Sequence, residues 1–440
     1  MALSSDNKTL IENISKKFDF QGKYLTKKGG IFMRAYERLL NYVKIHTTSE
    51  ESNEATPSSD RQFTLGNLLV KEMKEMGVKD VSIDDKCYIY AKLPATEGRE
   101  NAPVLGFIAH MDTAPDYSGE NVQPQIIPNY DGRNIQLGQS GLTLSPDNFS
   151  HLHDMKGCTL ITTDGTTLLG ADDKAGVAEI MTMTEDLLSS KLPHGPICIG
   201  FTPDEEIGRG ADYFDVKRFG ADFAYTVDGG AENAIEYENF NAAGAKVVIK
   251  GLSLHPGDSK NTMINASLVA MEFNAMLPAG DTPRHTEGYE GFYHLCAMEG
   301  DMSEATLSYI VRDHDAALFE ARLYTLRHIE KLLNEKYGSG TVTLTITEQY
   351  RNMKEMIEPC MHLIDNAKQA VQSVGLQPVT VPIRGGTDGA RLSYMGLPCP
   401  NLGTGGYGFH GPYEHITAEG MDRAVDILKE IVRLYAGIRS

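Results

Sequence analysis

The chain has 440 residues and 41% hydrophobic content, which is enough to bury a large core and predicts two domains. Its formal net charge of −19, without a basic cluster or an interleaved aromatic stripe, excludes nucleic acid as a partner. No run of about twenty apolar residues is present to span a bilayer, and six scattered cysteines without a CxxC pair predict a reduced, cytoplasmic setting.

The first 32 residues differ in pattern from the rest of the chain. They contain basic residues, but they have neither a continuous apolar core nor a small-residue cleavage site, so they do not resemble a secretory signal. The first amphipathic helix is predicted over residues 34–43, where Tyr36, Leu39 and Leu40 follow helical spacing. We therefore interpret residues 1–32 as an N-terminal extension.

Strands then alternate with helices. The apolar runs at residues 104–109, 197–202 and 223–227 are typical of strands buried in a parallel or mixed sheet. Residues 175–189 and 418–435 carry apolar positions at helical spacing. This order predicts an α/β core.

Between residues 241 and 350 the order changes to β-α-β-β-α-β, which is the ferredoxin-like pattern. The predicted elements are a strand at 246–250, a helix at 264–277, strands at 293–299 and 305–312, a helix at 316–336 and a strand at 341–347. Because another chemical motif follows this segment, we interpret residues 241–350 as a domain inserted into a catalytic domain made of residues 33–240 and 351–440.

Five short motifs of acids and histidines lie at the ends of predicted strands or at the start of helices. They are His110 with Asp112, Asp172 with Asp173, the acids of residues 204–206, Asp228, and His410 with Glu414. Active sites of open sheets gather at strand ends. Imidazole and carboxylate groups are the ligands that divalent cations take in hydrolases. The pattern therefore predicts a two-metal enzyme that cleaves an amide.

Each motif taken singly leaves a structural alternative open. His110 could be a hydrogen-bonded residue at a strand end, one of the two aspartates could cap a helix, and residues 204–206 could form a solvated turn. Side chains two apart share a face of a strand, so Asp112 can orient the imidazole of His110. Adjacent residues of extended chain face opposite ways, which suits Glu205 and Glu206 to two different roles.

From residue 33 onward, the chain resembles the zinc metallopeptidase family that contains the glutamate carboxypeptidases, succinyl-diaminopimelate desuccinylases and aminoacylases. The motifs that carry the resemblance are AHMDT, GADDKAG, FTPDEEIGRG, YTVDGG and IRGGTDGARLSYMGLPCPNLGTGGYGFHG. The last motif is characteristic of the tripeptidases of that family. The resemblance implies a di-zinc exopeptidase-like catalytic domain with an inserted ferredoxin-like lid and dimerisation domain.

Residue by residue, the resemblance implies two zinc ions per subunit. His110, Asp172 and Asp228 would hold one ion, while Asp172, Glu206 and His410 would hold the other, so that Asp172 bridges them. Three ligand carboxylates together with a bridging hydroxide would balance the charge of two divalent cations.

The resemblance also assigns the proton chemistry. Asp112 corresponds to the aspartate that orients the histidine ligand, and Glu205 corresponds to the general base that activates water. The expected reaction is removal of the N-terminal residue from a tripeptide. A dipeptidase, carboxypeptidase or deacylase of the same superfamily and a noncatalytic binding protein are the alternatives.

Three further residues are expected to contact the substrate. His255 is the candidate oxyanion donor; because it lies in the inserted domain, domain closure or the second subunit of a homodimer must bring it to the metals. A loop histidine in solvent is its alternative. Arg384 is expected to pair bidentately with the C-terminal carboxylate of a short peptide, or else to be a structural arginine paired with a nearby acid. Asn352 is expected to assist.

Overall fold

The three apolar runs predicted as strands form neighbouring parallel strands at the centre of an eight-stranded sheet. The computed structural model describes residues 33–190 and 192–437, so the predicted extension at residues 1–32 lies outside the described residues. The strand Leu105–His110 lies between Ile197–Thr202 and Phe223–Gly229 and is parallel to both. The strands Leu105–His110 and Ile197–Thr202 are buried along their whole length, as expected where both faces of a sheet are covered.

The α-helices and the strands are numbered in chain order. The helices are α1 (Ala35–Tyr42), α2 (Gln62–Met76), α3 (Ala171–Ser190), α4 (Val216–Phe219), α5 (Ala266–Ala275), α6 (Ala316–Tyr337), α7 (Lys354–Ile357), α8 (His362–Ser373), α9 (Asp388–Tyr394) and α10 (Ala418–Tyr435). The strands are β1 (Asp80–Ile83), β2 (Ile89–Leu93), β3 (Leu105–His110), β4 (Gln125–Ile127), β5 (Ile135–Gln136), β6 (Thr143–Leu144), β7 (Leu160–Thr162), β8 (Ile197–Thr202), β9 (Phe223–Gly229), β10 (Ala234–Glu236), β11 (Asn241–Lys250), β12 (Phe292–Gly300), β13 (Glu304–Asp313), β14 (Val342–Tyr350), β15 (Val379–Thr380), β16 (Asn401–Gly403), β17 (Gly406–Tyr407) and β18 (His415–Thr417).

The large sheet has the order β1-β2-β8-β3-β9-β16-β10-β15. Phe107 of β3 belongs to the core that the sheet shares with α1, α2, α3, α8 and α10, whereas its neighbour Ile108 belongs to a second core with α4 and α9. Successive side chains of a strand point to opposite faces, so one short run supplies both cores. The predicted α/β class is confirmed.

Residues 241–350 form a separate antiparallel sheet with the order β12-β13-β11-β14. Helices α5 and α6 pack against it, and Val247, Leu307 and Phe319 belong to a core that includes no residue of the large sheet. The predicted β-α-β-β-α-β order is confirmed. Ala242 pairs with Tyr350, so the two ends of this segment lie side by side where it joins the rest of the chain.

A small sheet with the order β17-β18-β7-β4 carries the loop that contains His410. Its strand β18 runs directly into α10, where the Thr417 hydroxyl accepts a hydrogen bond from the Gly420 amide at 3.0 Å. This cap starts the helix at the position predicted from the sequence. In the described part of the chain, no helix combines the length and apolar character needed to cross a membrane.

Candidate metal centre

Five acid and histidine side chains converge at the carboxyl ends of the parallel strands. His110 is the last residue of β3, Asp228 lies near the end of β9, and Glu206 follows β8. Asp172 arrives from the start of α3, and His410 arrives from the loop between β17 and β18. The five segments are far apart in sequence, so only the fold brings these side chains together.

Asp172 lies between the two histidines. Its Oδ1 is 3.0 Å from Nε2 of His110, and its Oδ2 is 3.4 Å from Nε2 of His410. Each histidine is also close to a second carboxylate. Asp228 Oδ1 is 3.5 Å from His110 Nε2, and Glu206 Oε2 is 2.9 Å from His410 Nε2. The arrangement is two acid–histidine groups that share one aspartate.

Two sets of three side chains are close enough to hold a cation. One potential ligand atom from each member lies within 4.8 Å of the others in the set His110, Asp172 and Glu206, and likewise in the set His110, Glu205 and Asp228. His410 approaches the first set through Asp172 and Glu206. Glu205, expected to act as a base, therefore lies directly beside the expected ligands.

The electrostatics of the cluster fit divalent cations. Burial, and then the charge of Asp172, raise the pKa of Glu206 to about 8. Burial raises the pKa of Asp228 to about 6, although His110 opposes the shift. Glu206 Oε1 is buried without a hydrogen-bond partner among the described residues. Acids buried this closely repel one another unless cations neutralise them, so the donor set suits a metal pair.

The two adjacent aspartates have different roles. Asp172 has non-helical backbone angles (φ −84°, ψ 105°), and its side chain contacts the histidines. Asp173 is buried, and its carboxylate accepts hydrogen bonds from the amides of His110 and Gly176, both at 3.2 Å. The helix-capping alternative therefore applies to Asp173, and the metal-type contacts belong to Asp172.

Asp112 organises the loop that carries the two glutamates. Its Oδ1 is 3.2 Å from Nδ1 of His110, and its two oxygens also accept the amides of Glu205 and Glu206 at 3.0 and 3.2 Å. These two glutamates open a 3-10 helix, Glu205–Ile207. The expectation of extended chain at Glu205 and Glu206 was wrong. The amides of both residues donate to the Asp112 carboxylate and therefore lie on the same side of the chain.

The acidic run at residues 204–206 is not a solvated turn. Asp204 is fully buried, and its carboxylate accepts hydrogen bonds from the Ser58 amide at 2.7 Å, the Ser58 hydroxyl at 2.6 Å and the Gln62 side chain at 2.7 Å. Asp204 also adopts a left-handed conformation with φ 57°. It anchors the loop that places Glu205 and Glu206 beside the histidines.

Glu414, to which the sequence pattern assigned no role, connects the His410 loop to the turn before α3. It is 1% exposed. Its carboxylate accepts hydrogen bonds from the amides of Leu169, Gly170 and Asp172 at 2.7, 2.8 and 3.0 Å. Glu414 therefore ties the loop of His410 to the turn that presents Asp172. Its only sequence signal was its place four residues after His410.

Asp388 is a second buried acid whose position the sequence did not indicate. Its Oδ2 accepts a hydrogen bond from the Thr202 hydroxyl at the end of β8, at 2.8 Å. Burial raises the pKa of Asp388 to about 7. Asp388 thus links the first residue of α9 to the strand that leads to Glu205.

Contacts to this cluster are absent for His255 and Arg384 among the described residues. The His255 side chain is 78% exposed, and its Nδ1 accepts a hydrogen bond from the Gly257 amide at 3.2 Å. The Arg384 guanidinium donates to the carbonyl oxygens of Gly288 and Glu290 at 2.7 and 3.0 Å. The alternative in which an acid pairs with Arg384 is not observed among the described residues.

Asn352 lies just after β14, where residues 241–350 join the rest of the chain. Its Oδ1 accepts the amides of Asn239 at 3.1 Å and Lys354 at 3.0 Å, and its Nδ2 donates to the His314 carbonyl at 3.1 Å. Asn352 is 7% exposed. Its expected contribution to substrate binding stays a prediction, and its observed contacts fix the junction.

Comparison with known proteins identifies the family. Residues 164–434 match the model of Peptidase family M20/M25/M40. The chain belongs to this family. It is 55% identical to peptidase T of Clostridium perfringens over 404 residues, which are 92% of this chain and 99% of that protein. The metallopeptidase membership expected from the motifs is confirmed, and the relatives place the chain in the peptidase T group.

Two solved structures show the same fold. A tripeptidase of Staphylococcus aureus is 21% identical with a TM-score of 0.74, covering 93% of this chain and 100% of the other. A dinuclear metal binding peptidase from the M20 family of Bacillus subtilis is 15% identical with a TM-score of 0.61, covering 92% and 99%.

The three hydrogen bonds of Glu414 predict an effect on metal affinity. Glu414→Gln replaces one accepting oxygen by an amide group that faces backbone N–H donors. We expect the affinity for Zn²⁺ to fall about 10- to 100-fold, the range typical of residues that orient metal ligands. Competition with a chromophoric chelator measures this affinity.

Glu419→Gln provides a matched control for this variant. Glu419 also accepts a backbone hydrogen bond, from the Thr159 amide at 2.7 Å, but it does not contact the turn of Asp172. Equal zinc affinities for the two variants would show that Glu414 does not hold the metal centre together.

Proposed function

We propose that this chain is an aminotripeptidase that removes the N-terminal residue of tripeptides, with two zinc ions as cofactor and Glu205 as general base. One observation carries the proposal: the two oxygens of Asp172 face two different histidines, at 3.0 and 3.4 Å. A carboxylate in that position can bridge two cations. Two-metal sites of this kind occur in aminopeptidases.

The comparisons support the substrate class. The C. perfringens relative is a peptidase T, with 55% identity over nearly its whole length. A structure of the same fold is that of a tripeptidase. Short peptides with a free amino end, above all tripeptides, are therefore the substrates that we propose.

The proposed ligands are those that the family resemblance implies. His110 and Asp228 would hold one ion, Glu206 and His410 would hold the other, and Asp172 would contribute to both. A set of two imidazoles and three carboxylates suits zinc. When bound, two zinc ions lower the pKa of a shared water towards 7 and polarise the scissile carbonyl.

Glu205 is placed to move the proton. Burial, and then the charge of Asp228, raise the pKa of Glu205 well above its ordinary value, so its carboxyl group can retain a proton after taking it from water. The same group then delivers that proton to the nitrogen of the leaving amine. Asp112 holds the amide of Glu205 at 3.0 Å, which keeps the base beside the cluster.

Arg384 is proposed to bind the C-terminal carboxylate of the substrate. Its guanidinium lies over the rings of Phe240 and Phe292, at 5.0 and 5.7 Å from their centres, and it donates to neutral carbonyl groups of residues 288 and 290. A carboxylate is a stronger acceptor than a neutral carbonyl. The substrate can therefore replace these partners.

We propose that residues 241–350 act as an inserted lid domain and that the chain forms a homodimer through it. The separate core of this segment supports the first proposal. His255 is exposed and makes no contact with the cluster among the described residues, which supports a role that needs domain closure or a second subunit. The six free cysteines support a cytoplasmic location.

The function is tested by a comparison of substrates. The zinc-loaded protein is expected to release Met from Met-Gly-Gly, measured by chromatography of the products. N-acetyl-Met-Gly-Gly should not be cleaved, and Met-Gly should be cleaved at least about tenfold more slowly, as expected when binding of both peptide ends raises the rate. Preferential cleavage of the acetylated peptide would identify a deacylase or carboxypeptidase instead.

Glu205→Gln separates proton transfer from metal binding. Since Gln cannot accept the proton, we expect kcat to fall about 10²- to 10⁴-fold, while zinc content measured by atomic emission stays at two per chain. Glu206→Gln is the matched variant, and it should lose zinc. Full activity in Glu205→Gln would exclude this residue as the base.

Arg384→Ala tests recognition of the C-terminal carboxylate. Loss of a charge-assisted pair should raise KM for Met-Gly-Gly about 10- to 100-fold and should change KM for Met-Gly-Gly-amide much less. Arg99→Ala is the control, because Arg99 also donates to a backbone carbonyl, that of Ala436, at 3.0 Å. An equal change for the free and the amidated peptide would contradict the proposed pair.

A further inference from the structure

The imidazole of His151 lies at the base of the loop that carries His410. This His410 loop consists of residues 408–414 between β17 and β18, whereas His151 belongs to a 3-10 helix, Ser150–His153, that precedes β7. We propose that His151 is a positioning residue that holds the His410 loop in the geometry required by the second zinc ion. The inference deepens the proposed function and rests on it, because His410 is a proposed ligand of only one of the two ions.

The His410 loop has little support from its own backbone. Strand β17 consists of two residues at the edge of the small sheet, and its ladder pairs are Gly406 with Ile416 and Tyr407 with His415. A two-stranded pairing of this length is marginally stable by itself. His410 also has φ 60°, a left-handed conformation that a residue with a side chain keeps only where its surroundings fix it. The loop therefore needs contacts from other parts of the chain.

His151 contacts the residues on both sides of the loop. Its ring stacks on that of Tyr407, the last residue of β17, with centres 4.0 Å apart and an angle of 14° between the planes. Its Nε2 is 2.8 Å from Nε2 of His415, the first residue of β18. One side chain from a distant segment thus joins the residue before the loop to the residue after it.

The hydrogen bond between the two imidazoles has one direction. Nδ1 of His415 is 2.7 Å from the carbonyl oxygen of Tyr413, and because a carbonyl oxygen only accepts, this nitrogen carries the proton. Burial lowers the pKa of His415 to about 4, so its ring is neutral at pH 7 and its Nε2 is an acceptor. His151 therefore donates from its own Nε2.

Removal of this donor would disturb the loop rather than expose it to water. His415 is 0% exposed, so its Nε2 would be left buried and unpaired, which is unfavourable. A rotation of His415 towards another donor would break its hydrogen bond to Tyr413. Phe149, from the same segment as His151, packs against the rings of Tyr413 and His415, with 5.6 and 5.9 Å between centres. The position of the loop is therefore coupled to the donor on His151.

Two substitutions separate the hydrogen bond of His151 from its packing. Phe keeps a flat ring that can stack on Tyr407, but it has no N–H group. Gln has no ring, but its amide can donate to Nε2 of His415. If the hydrogen bond positions the loop, Gln replaces His151 and Phe does not. If packing of the ring were sufficient, the order would be reversed.

The first measurement is zinc binding to the full-length chain, by competition with a chromophoric chelator. In His151→Phe, the affinity for one zinc ion is expected to fall about 10- to 100-fold, the range for residues that orient metal ligands. The affinity for the other ion should change less than about threefold, as should both affinities in His151→Gln, which retains the donor. His153→Phe, at an exposed position of the same 3-10 helix, is the control and should bind both ions like the wild type.

The second measurement detects the hydrogen bond in the metal-free protein. Nitrogen-15 NMR of the imidazole rings distinguishes the two neutral tautomers of histidine. We expect His415 to carry its proton on Nδ1 and His151 to carry its proton on Nε2. The Nε2 signal of His415 should shift more in His151→Phe than in His151→Gln. A proton on Nε2 of His415 in the wild type would overturn the proposal, because His151 would then not be the donor.

The zinc affinities and the Tm of each variant decide between the remaining outcomes. Wild-type affinity for both ions in His151→Phe would overturn the proposal, and so would recovery with Phe but not with Gln. Equal weakening of both ions in the two variants, with a lower Tm in each, would also overturn it, because His151 would then contribute only to folding. A wild-type chain that binds two zinc ions but cleaves no tripeptide would refute the proposed function alone, since the zinc affinities of the variants still decide the role of His151.

Discussion

The position of the Asp172 carboxylate between His110 and His410 is the constraint on which the rest of the site depends. One histidine ends a central strand and the other lies in the loop of a small sheet, so the aspartate must be fixed against both. Glu414 fixes it by accepting three amides of its turn. The start of α3 departs from helical geometry at this point, and Asp173 takes over the capping role.

The buried acids of this chain fall into two kinds by what they contact. Asp172, Asp228 and Glu206 face histidines and repel one another, and a pair of bound cations would relieve that repulsion. Asp112, Asp204 and Glu414 face backbone or neutral donors and hold loops in place. A carboxylate that accepts several amides can remain buried because hydrogen bonds stabilise its charge. The second kind of acid is therefore what positions the first.

Substrate recognition would be divided between two parts of the molecule. The acid–histidine cluster lies at strand ends of the large sheet, whereas Arg384 lies against the loop that precedes β12, within residues 241–350. Asn239 and Asn352 are hydrogen-bonded to each other near the two ends of that segment. Movement of the inserted segment would change the separation of the two ends of the site.

Apolar periodicity was sufficient to predict the strands β3, β8 and β9, helix α10 and the ferredoxin-like segment, because it reports which faces are buried. The metal-type motifs were also found from the sequence, since they lie at the ends of predicted strands or at the start of helices. The contacts between distant segments were needed to show that Asp172 rather than Asp173 faces the histidines, that Glu205 starts a 3-10 helix, and that carbonyl groups hold Arg384. These side-chain orientations depend on partners that are distant in sequence, such as Glu414, which lies 242 residues from Asp172. Local sequence patterns do not report contacts at that separation.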